Sequence, residues 1–315
     1  MRDPNPMLKT LASLVFYTRF LWPFSALGHG RRVAARPAPP FDFTGQRWCV
    51  TGASGGIGRA IVLGALRAGA EVHALARDPA KLEALRRDAG ADGHRLHAFR
   101  VDLADVGETT AWAERAPRFD VLLHNVGVML HGHALTAEGL ETSFATNLLV
   151  PFAMTRALRD GGALDAGSLV ISVSSGGAYG AKLDLGSLEA ADAARHDGFM
   201  AYAQHKRAQI ELTRAWNADP EGPRAHVMHP GWVDTEGVRS ALPGFRRVLR
   251  RVLRTGEQGA DTALWLAATR PEPSPEGGVW LDRHRDTEHA FAMTRGGASA
   301  EALVAFLRQR LDAIR

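Results

Sequence analysis

Between residues 46 and 173, short apolar runs alternate with helical patterns, and the first junction is a glycine-rich turn. Residues 46–50 form an apolar run, and Thr51-Gly52-Ala53-Ser54-Gly55-Gly56-Ile57-Gly58-Arg59 follows it. Ala60, Ile61, Leu63, Leu66 and Ala68 then recur at helical spacing. Glycines let a backbone turn sharply and approach a pyrophosphate, whose charge is favoured at a helix N-terminus. A glycine trio also punctuates ordinary turns, so the strand before it and the helix after it carry the weight. The alternation continues with strands at 71–76, 96–101, 119–123 and 168–173 and helices at 79–87 and 105–115. A long helical stretch spans 136–158, with a break near Pro151. Strands alternating with helices imply βαβ crossovers, hence an α/β fold with a doubly wound, Rossmann-type parallel sheet in one domain. Ligands then bind beyond the carboxyl ends of the strands. The chain divides into an apolar and basic N-terminal helical extension with linker (1–40), the sheet domain (41–290) and a closing amphipathic helix (291–315).

The end of the second strand reads the cofactor. An acid there accepts bonds from the ribose 2′-hydroxyl of NAD, whereas a base suits the 2′-phosphate of NADP. The sequence is Ala74-Leu75-Ala76-Arg77-Asp78, with Ala76 where the acid would sit. Arg77 with Arg59 forms a candidate phosphate clamp, which favours NADP over NAD. The weaker alternative is that both are solvated surface arginines, and Asp78 keeps NAD open.

Three features meet downstream. Ile171-Ser172-Val173-Ser174-Ser175 closes the fifth strand and delivers hydroxyls at its carboxyl end. In Tyr202-Ala203-Gln204-His205-Lys206 the tyrosine and lysine stand at i and i+4, one turn apart on one helix face. Carbonyl reduction needs a hydride on carbon and a proton on oxygen. A free tyrosine has a pKa near 10, about three units too high for acid–base work at neutral pH. An ammonium one turn away favours the phenolate and is expected to lower that value. Alone, Tyr-x-x-x-Lys is a common coincidence; after this turn and this serine pair, chance explains it poorly.

The glycine turn 51–58, His124-Asn125-Val126-Gly127, Asn147, Ser175, Tyr202, Lys206 and His229-Pro230-Gly231-Trp232-Val233-Asp234-Thr235 resemble, in order, the short-chain dehydrogenase/reductase superfamily. The resemblance covers about residues 44–285. The segments 174–177, 199–207 and 229–237, with 27 residues from Ser175 to Tyr202, are similar to its dehydrogenase/reductase member 12 group beside the retinol dehydrogenases. It implies an NAD(P)-dependent enzyme acting on an alcohol or carbonyl. Tyr202 is then general acid or base, Lys206 lowers its pKa and bonds the nicotinamide ribose, and Ser175 holds the substrate oxygen. Asn147 keeps a water that links Lys206 to a proton relay. The implied cofactor contacts are Thr51, Gly52, Ser54, Gly55, Gly56, Ile57, Gly58, Arg59, Arg77, Asp102, Leu103, Asn125, Val126, Gly127, Tyr202, Lys206, Pro230, Gly231, Val233 and Thr235. His124 stands where an asparagine is usual and Val126 where an alanine is usual. The helices around Asn147 and Tyr202 often pair subunits in the superfamily, which raises a homodimer.

The remaining segments bear on substrate and place. Residues 8–27 are apolar and aromatic, but Lys9 and Arg19 interrupt them and Pro23 should break a helix. The uncharged stretch is too short for a membrane span, and no clear signal-cleavage site follows. The segment either lies peripherally in a membrane interface or packs on the domain or a second subunit; the chain is expected to be cytoplasmic. Residues 237–254 read as a lid, with Phe245, Val248, Leu249, Val252 and Leu253 interleaved with Arg246, Arg247, Arg250, Arg251 and Arg254. Those arginines make a basic stripe, read as a solvated face or as a contact for anionic groups. An apolar lid implies a hydrophobic, lipid-, retinoid- or steroid-like small molecule as substrate. A net charge of +4 and the lack of any nucleic-acid-binding signature argue against nucleic acid. No metal site is expected, because the 13 histidines lack ligand spacing and His131 and His133 have no third partner. The lone Cys49 excludes an internal disulfide. The rival reading is a catalytically silent nucleotide sensor on the same fold.

Overall fold

The computed structural model describes residues 6–190, 193–274 and 277–314, with side chains from residue 15 onward except that of Arg195. The strands are β1 (Arg47–Thr51), β2 (Glu71–Ala76), β3 (Leu96–Arg100), β4 (Val121–His124), β5 (Leu169–Val173), β6 (Arg224–Met228), β7 (Val279–Leu281) and β8 (His284–Asp286). They form one sheet in the order β3-β2-β1-β4-β5-β6-β7-β8. Every pairing is parallel except that of β7 with β8. The order reverses between β1 and β4, which places the expected ligand crevice over the carboxyl ends of those strands.

Period-two side chains explain why the sheet is sandwiched. Trp48 and Val50 enter one core with Ile61, Leu66 and Trp265, while Cys49 enters the other with Leu122, Phe144 and Leu212. Both faces are therefore covered, as parallel sheets require. Helices α1 (Pro6–Phe24) and α2 (Ala26–Ala34) precede the sheet, and α3 (Gly56–Arg67), α4 (Pro79–Ala89) and α5 (Val106–Ala113) connect its first strands. The later ones are α6 (Val150–Asp160), α7 (Gly198–Asn217), α8 (Glu236–Ala241), α9 (Pro243–Leu249), α10 (Gly256–Thr269) and α11 (Ala300–Ile314).

The stretch 136–158 departs from expectation. Residues 136–141 form a turn closed by a bridge from Leu135 to Glu141, with Gly139 at φ +77°. The helix starts only at Thr142 and widens into a π turn at Ala145–Leu149 before α6. Pro151 does not break it, because it occupies the first turn of α6, where its missing N–H costs little.

The N-terminal segment packs on the domain over its described side chains. Pro23 lies one residue from the end of α1, and Ser25 then caps α2 by accepting from the Leu27 N–H. Phe20 and Phe24 are buried against Tyr179, with ring centroids 5.5 and 5.4 Å away, and Phe24 stacks on His229 at 4.2 Å. Val15, Tyr17, Leu21, Trp22 and Leu27 stay exposed. Among the described residues no helix is long and apolar enough to cross a membrane.

The basic stripe of 246–254 also divides. Arg247, Arg250 and Arg251 are exposed, Arg246 pairs with Asp234 at 2.9 Å, and Arg254 is fully buried. Arg254 grips Asp282 with both terminal nitrogens, at 2.6 and 2.9 Å, and donates to the carbonyls of Pro23, Ser25 and Pro230. His29 and Arg32 of α2 reach the same carboxylate. A buried guanidinium persists only where its donors are met, and here the N-terminal segment meets them.

Candidate active site

The glycine turn leads from β1 into α3. The N-cap Gly55 offers no side-chain bond, which leaves the first N–H groups of α3 free for an anion. Gly58 has no room for a side chain: a Cβ there would lie 2.2 Å from the Gly52 carbonyl oxygen. The turn is tied to the end of β4. Thr51 Oγ1 accepts from the N–H groups of Asn125 and Val126, and Asn125 Nδ2 donates to the Thr51 and Gly52 carbonyls at 3.2 and 3.1 Å. Ser54 and Ile57 flank the turn half-buried. These features fit a dinucleotide pyrophosphate.

At the end of β2, Ala76 is buried and Arg77 is exposed, with no ion pair among the described residues. Asp78 is committed elsewhere: its carboxylate caps α4, accepting from Ala80 and Lys81 N–H at 2.8 and 3.2 Å. Arg59 also differs from the clamp expected of it, because Asp88 holds it at 2.6 Å. Asp102 Oδ1 accepts from Ala104 N–H, and Leu103 is buried beside it. The loop after β6 brings Pro230, Gly231, Val233 and Thr235 to the same edge, and Thr235 caps α8. Gly231 adopts φ +77°, and a Cβ there would lie 2.2 Å from Arg254 Nε.

The predicted catalytic side chains converge. Ser175 follows β5, close enough to the Tyr202 phenol for its hydroxyl to favour the phenolate. Lys206 follows one turn along α7, its Nζ 5.7 Å from the Tyr202 ring centroid. Burial pulls its ammonium down to about 7. The phenol departs from expectation: burial pushes it up, and the bond from Ser175 is what acts downward. The physical reason is that burial acts on both groups: Lys206 loses its proton near 7 and carries no charge where the raised phenol titrates, while its Nζ donates to the Val173 carbonyl at 2.8 Å and to Gln209 Oε1 at 3.3 Å. Asn147 lies in the π turn; its side chain closes on Val128 N–H and carbonyl, each at 2.8 Å, and Nδ2 faces His205 Nδ1 at 3.3 Å. Gly127 sits against Lys206, and half-buried Val126 precedes it.

Gln209 and His205 were not singled out in the sequence. Their helical offsets from Lys206 were visible, but their partners lie on other elements. His124 is buried, bonded to Thr155 Oγ1 at 2.8 Å, and held down to about 3 by burial. His131 bonds the Ala241 carbonyl at 2.8 Å rather than joining His133 on a metal. The sheet does gather Glu71, His73 and His97 within ligand reach, which no sequence spacing signalled. Arg47 bonds both Glu71 oxygens at 3.1 Å, so that carboxylate already serves a cation.

The family model described as short chain dehydrogenase matches residues 46–244. The chain belongs to the short-chain dehydrogenase family. It is an oxidoreductase of that family, which works on alcohol and carbonyl groups with a nicotinamide cofactor. Dehydrogenase/reductase SDR family member 12 of Homo sapiens is 35% identical over 301 residues, covering 92% of this chain and 93% of that protein. Polyprenol dehydrogenase of Mus musculus is 32% identical, covering 76% of each chain. A solved structure of an uncharacterised Mycobacterium paratuberculosis protein superposes with a TM-score of 0.67 at 26% identity, covering 87% of this chain and 96% of that one.

Proposed function

We propose that this short-chain dehydrogenase is an NADP(H)-dependent oxidoreductase of a hydrophobic alcohol or carbonyl. The observation that carries the reading is Lys206 one buried turn from Tyr202, its Nζ 5.7 Å from that ring and bonded to the Val173 carbonyl at the end of β5, with Ser175 two residues on. The first turn of α3, the end of β2 at Arg77, Asp102, Asn125 and the 230–235 loop hold the dinucleotide. When bound, its nicotinamide supplies the hydride in reduction and accepts it in oxidation.

Ser175 and Tyr202 bond one substrate oxygen. Tyr202 gives that oxygen its proton in reduction and takes it back in oxidation. Lys206 holds a positive charge near the phenol, favouring phenolate as it forms. Apolar substrate character is supported by Phe16, Phe245, Leu249 and Leu253, which pack on the cluster of Phe20, Phe24 and Trp232, the last in the 230–235 loop. The mouse polyprenol dehydrogenase relative supports a lipid-like alcohol in the same sense. The exposed Val15, Leu21, Trp22 and Leu27 support collection of such substrates from a lipid surface.

The test is oxidation of NADPH and NADH with aldehydes of rising chain length, in detergent and in vesicles. We expect turnover of long apolar aldehydes with NADPH, and a loss of at least about 100-fold in kcat for Tyr202→Phe. Equal rates in that variant, or turnover of small polar carbonyls alone, would overturn the reading.

A further inference from the structure

Helix α7 carries more chemistry than its tyrosine and lysine. Tyr202, His205, Lys206 and Gln209 stand at i, i+3, i+4 and i+7, so they share one face. Gln209 on that face is 1% exposed. A buried amide must spend both its donor and its acceptor ends or pay for their desolvation. Gln209 spends both on the site. Nε2 donates to the main-chain carbonyl of Asn147 at 2.7 Å, and Oε1 accepts from Lys206 Nζ at 3.3 Å.

The family resemblance puts a relay water between Asn147 and Lys206, and Gln209 bridges the same two residues. The widened π turn presents the Asn147 carbonyl to α7, and the Gln209 amide spans from it to the ammonium. The ammonium has three protons. Val173 and Gln209 accept two of them, and the third is left for the Tyr202 side.

We infer that Gln209 is a positioning residue that takes the place of a relay water, fixing Lys206 toward Tyr202 and ending the proton path at an amide. An amide N–H does not hand its proton on as water does. Tyr202 must then regain its proton from the Ser175 and substrate side of the crevice, not through the Asn147 turn. The inference rests on the catalytic reading of Tyr202 and Lys206 given above.

Two substitutions in the full chain separate the roles. Gln209→Met keeps the volume but offers Lys206 no acceptor and the Asn147 carbonyl no donor. Gln209→Ala opens room for a water between the same two atoms. The direct readout is the titration of Lys206 by NMR of lysine labelled at Cε, which needs no turnover and is simple in a chain with 4 lysines. The titratable groups facing Lys206 are Tyr202 and His205 from its own helix and His124 from β4. Both histidines are held neutral by burial, at about 4 and 3, and stay silent between pH 5.5 and 9.

We expect Gln209→Met to move the Lys206 titration down by about one pH unit, the worth of one hydrogen bond to a charged group. Its kcat should fall about tenfold with KM unchanged. Gln209→Ala should recover most of both values and raise the solvent deuterium isotope effect, since a water-linked path opens. An unmoved Lys206 titration in Gln209→Met, with only a lower melting temperature, would reduce Gln209 to packing and overturn the inference. Tyr202→Phe run alongside keeps the cases distinct: if it stays active, the catalytic reading has failed, whatever Gln209 does.

Discussion

In the proposed function, Ala76 and Arg77 stand where the chain meets the adenosine end of its cofactor. Asp78 lies one residue further on, and its Oδ1 caps the first turn of α4. Arg77 is the exposed guanidinium at that edge, while Arg59 is tied to Asp88. A guanidinium–phosphate contact is charge-assisted, worth about 1.5 kcal/mol or more, or roughly tenfold in binding. Arg77→Gln should therefore raise the KM for NADPH about tenfold and leave that for NADH unchanged, whereas Arg59→Gln should do far less. Steady-state kinetics with both cofactors decide it; a uniform loss for both would remove Arg77 from the phosphate. At this scale the sequence was legible wherever chemistry is local. Tyr202 and Lys206 are one turn apart, and the spacing alone aims them together. Gln209 was not legible, because its partner Asn147 lies 62 residues away across a π turn that no pattern announces.

Among the elements, the N-terminal pair α1–α2 changes most between sequence and structure. Its apolar run left membrane and packing readings open, since Phe20 and Phe24 serve either equally well. What ties it to the domain is Arg254, which looked like one tooth of a solvated stripe. Its carboxylate partner is 28 residues on and its carbonyl partners Pro23 and Ser25 more than 200 residues back, so no window on the sequence could contain them. The pair joins α1, α2, the lid and the Pro230–Gly231 loop at one point. Removing one member leaves an uncompensated buried charge, which costs about 3–5 kcal/mol. Asp282→Asn or Arg254→Met should lower the melting temperature by several degrees and speed proteolytic release of the N-terminal helices. Melting and digestion patterns like the parent's would show that the helices are held by their phenylalanines alone. Strands β1 to β5 were read to within about two residues, because two-sided burial makes most of them short continuous apolar runs, whereas β6, β7 and β8 were not read. The stretch 136–158 was misread because a turn at Gly139 and a π turn interrupt a pattern whose apolar spacing survives both.

Across the whole molecule, four buried histidines set a limit on acid stability. Burial holds His124 and His229 at about 3 and His205 and His226 at about 4. Geometry says the same, because three of them use a ring nitrogen as an acceptor. His229 Nδ1 accepts from Gly231 N–H at 2.8 Å, His226 Nδ1 from the Trp280 indole at 3.3 Å, and His205 Nδ1 faces Asn147 Nδ2 at 3.3 Å. A proton on any of these atoms destroys the bond. In the unfolded chain the same rings titrate near 6.5. Below that pH the unfolded state binds protons that the folded state refuses, so stability falls as pH falls, down to the folded values near 4 and 3. Each ring contributes about 1.4 kcal/mol per pH unit in that window, so at pH 5 each has withdrawn about 2 kcal/mol. Four such losses are comparable with the whole folding free energy of an ordinary domain, about 5–15 kcal/mol. Melting temperature should therefore fall steeply from pH 6.5 to 5. The fall should be shallower in His226→Gln, where no proton is taken up on unfolding. A melting temperature that stays level down to pH 5 would mean that these rings reach solvent, and with it that the Pro230–Gly231 loop resting on His229 is far looser than its bonds require.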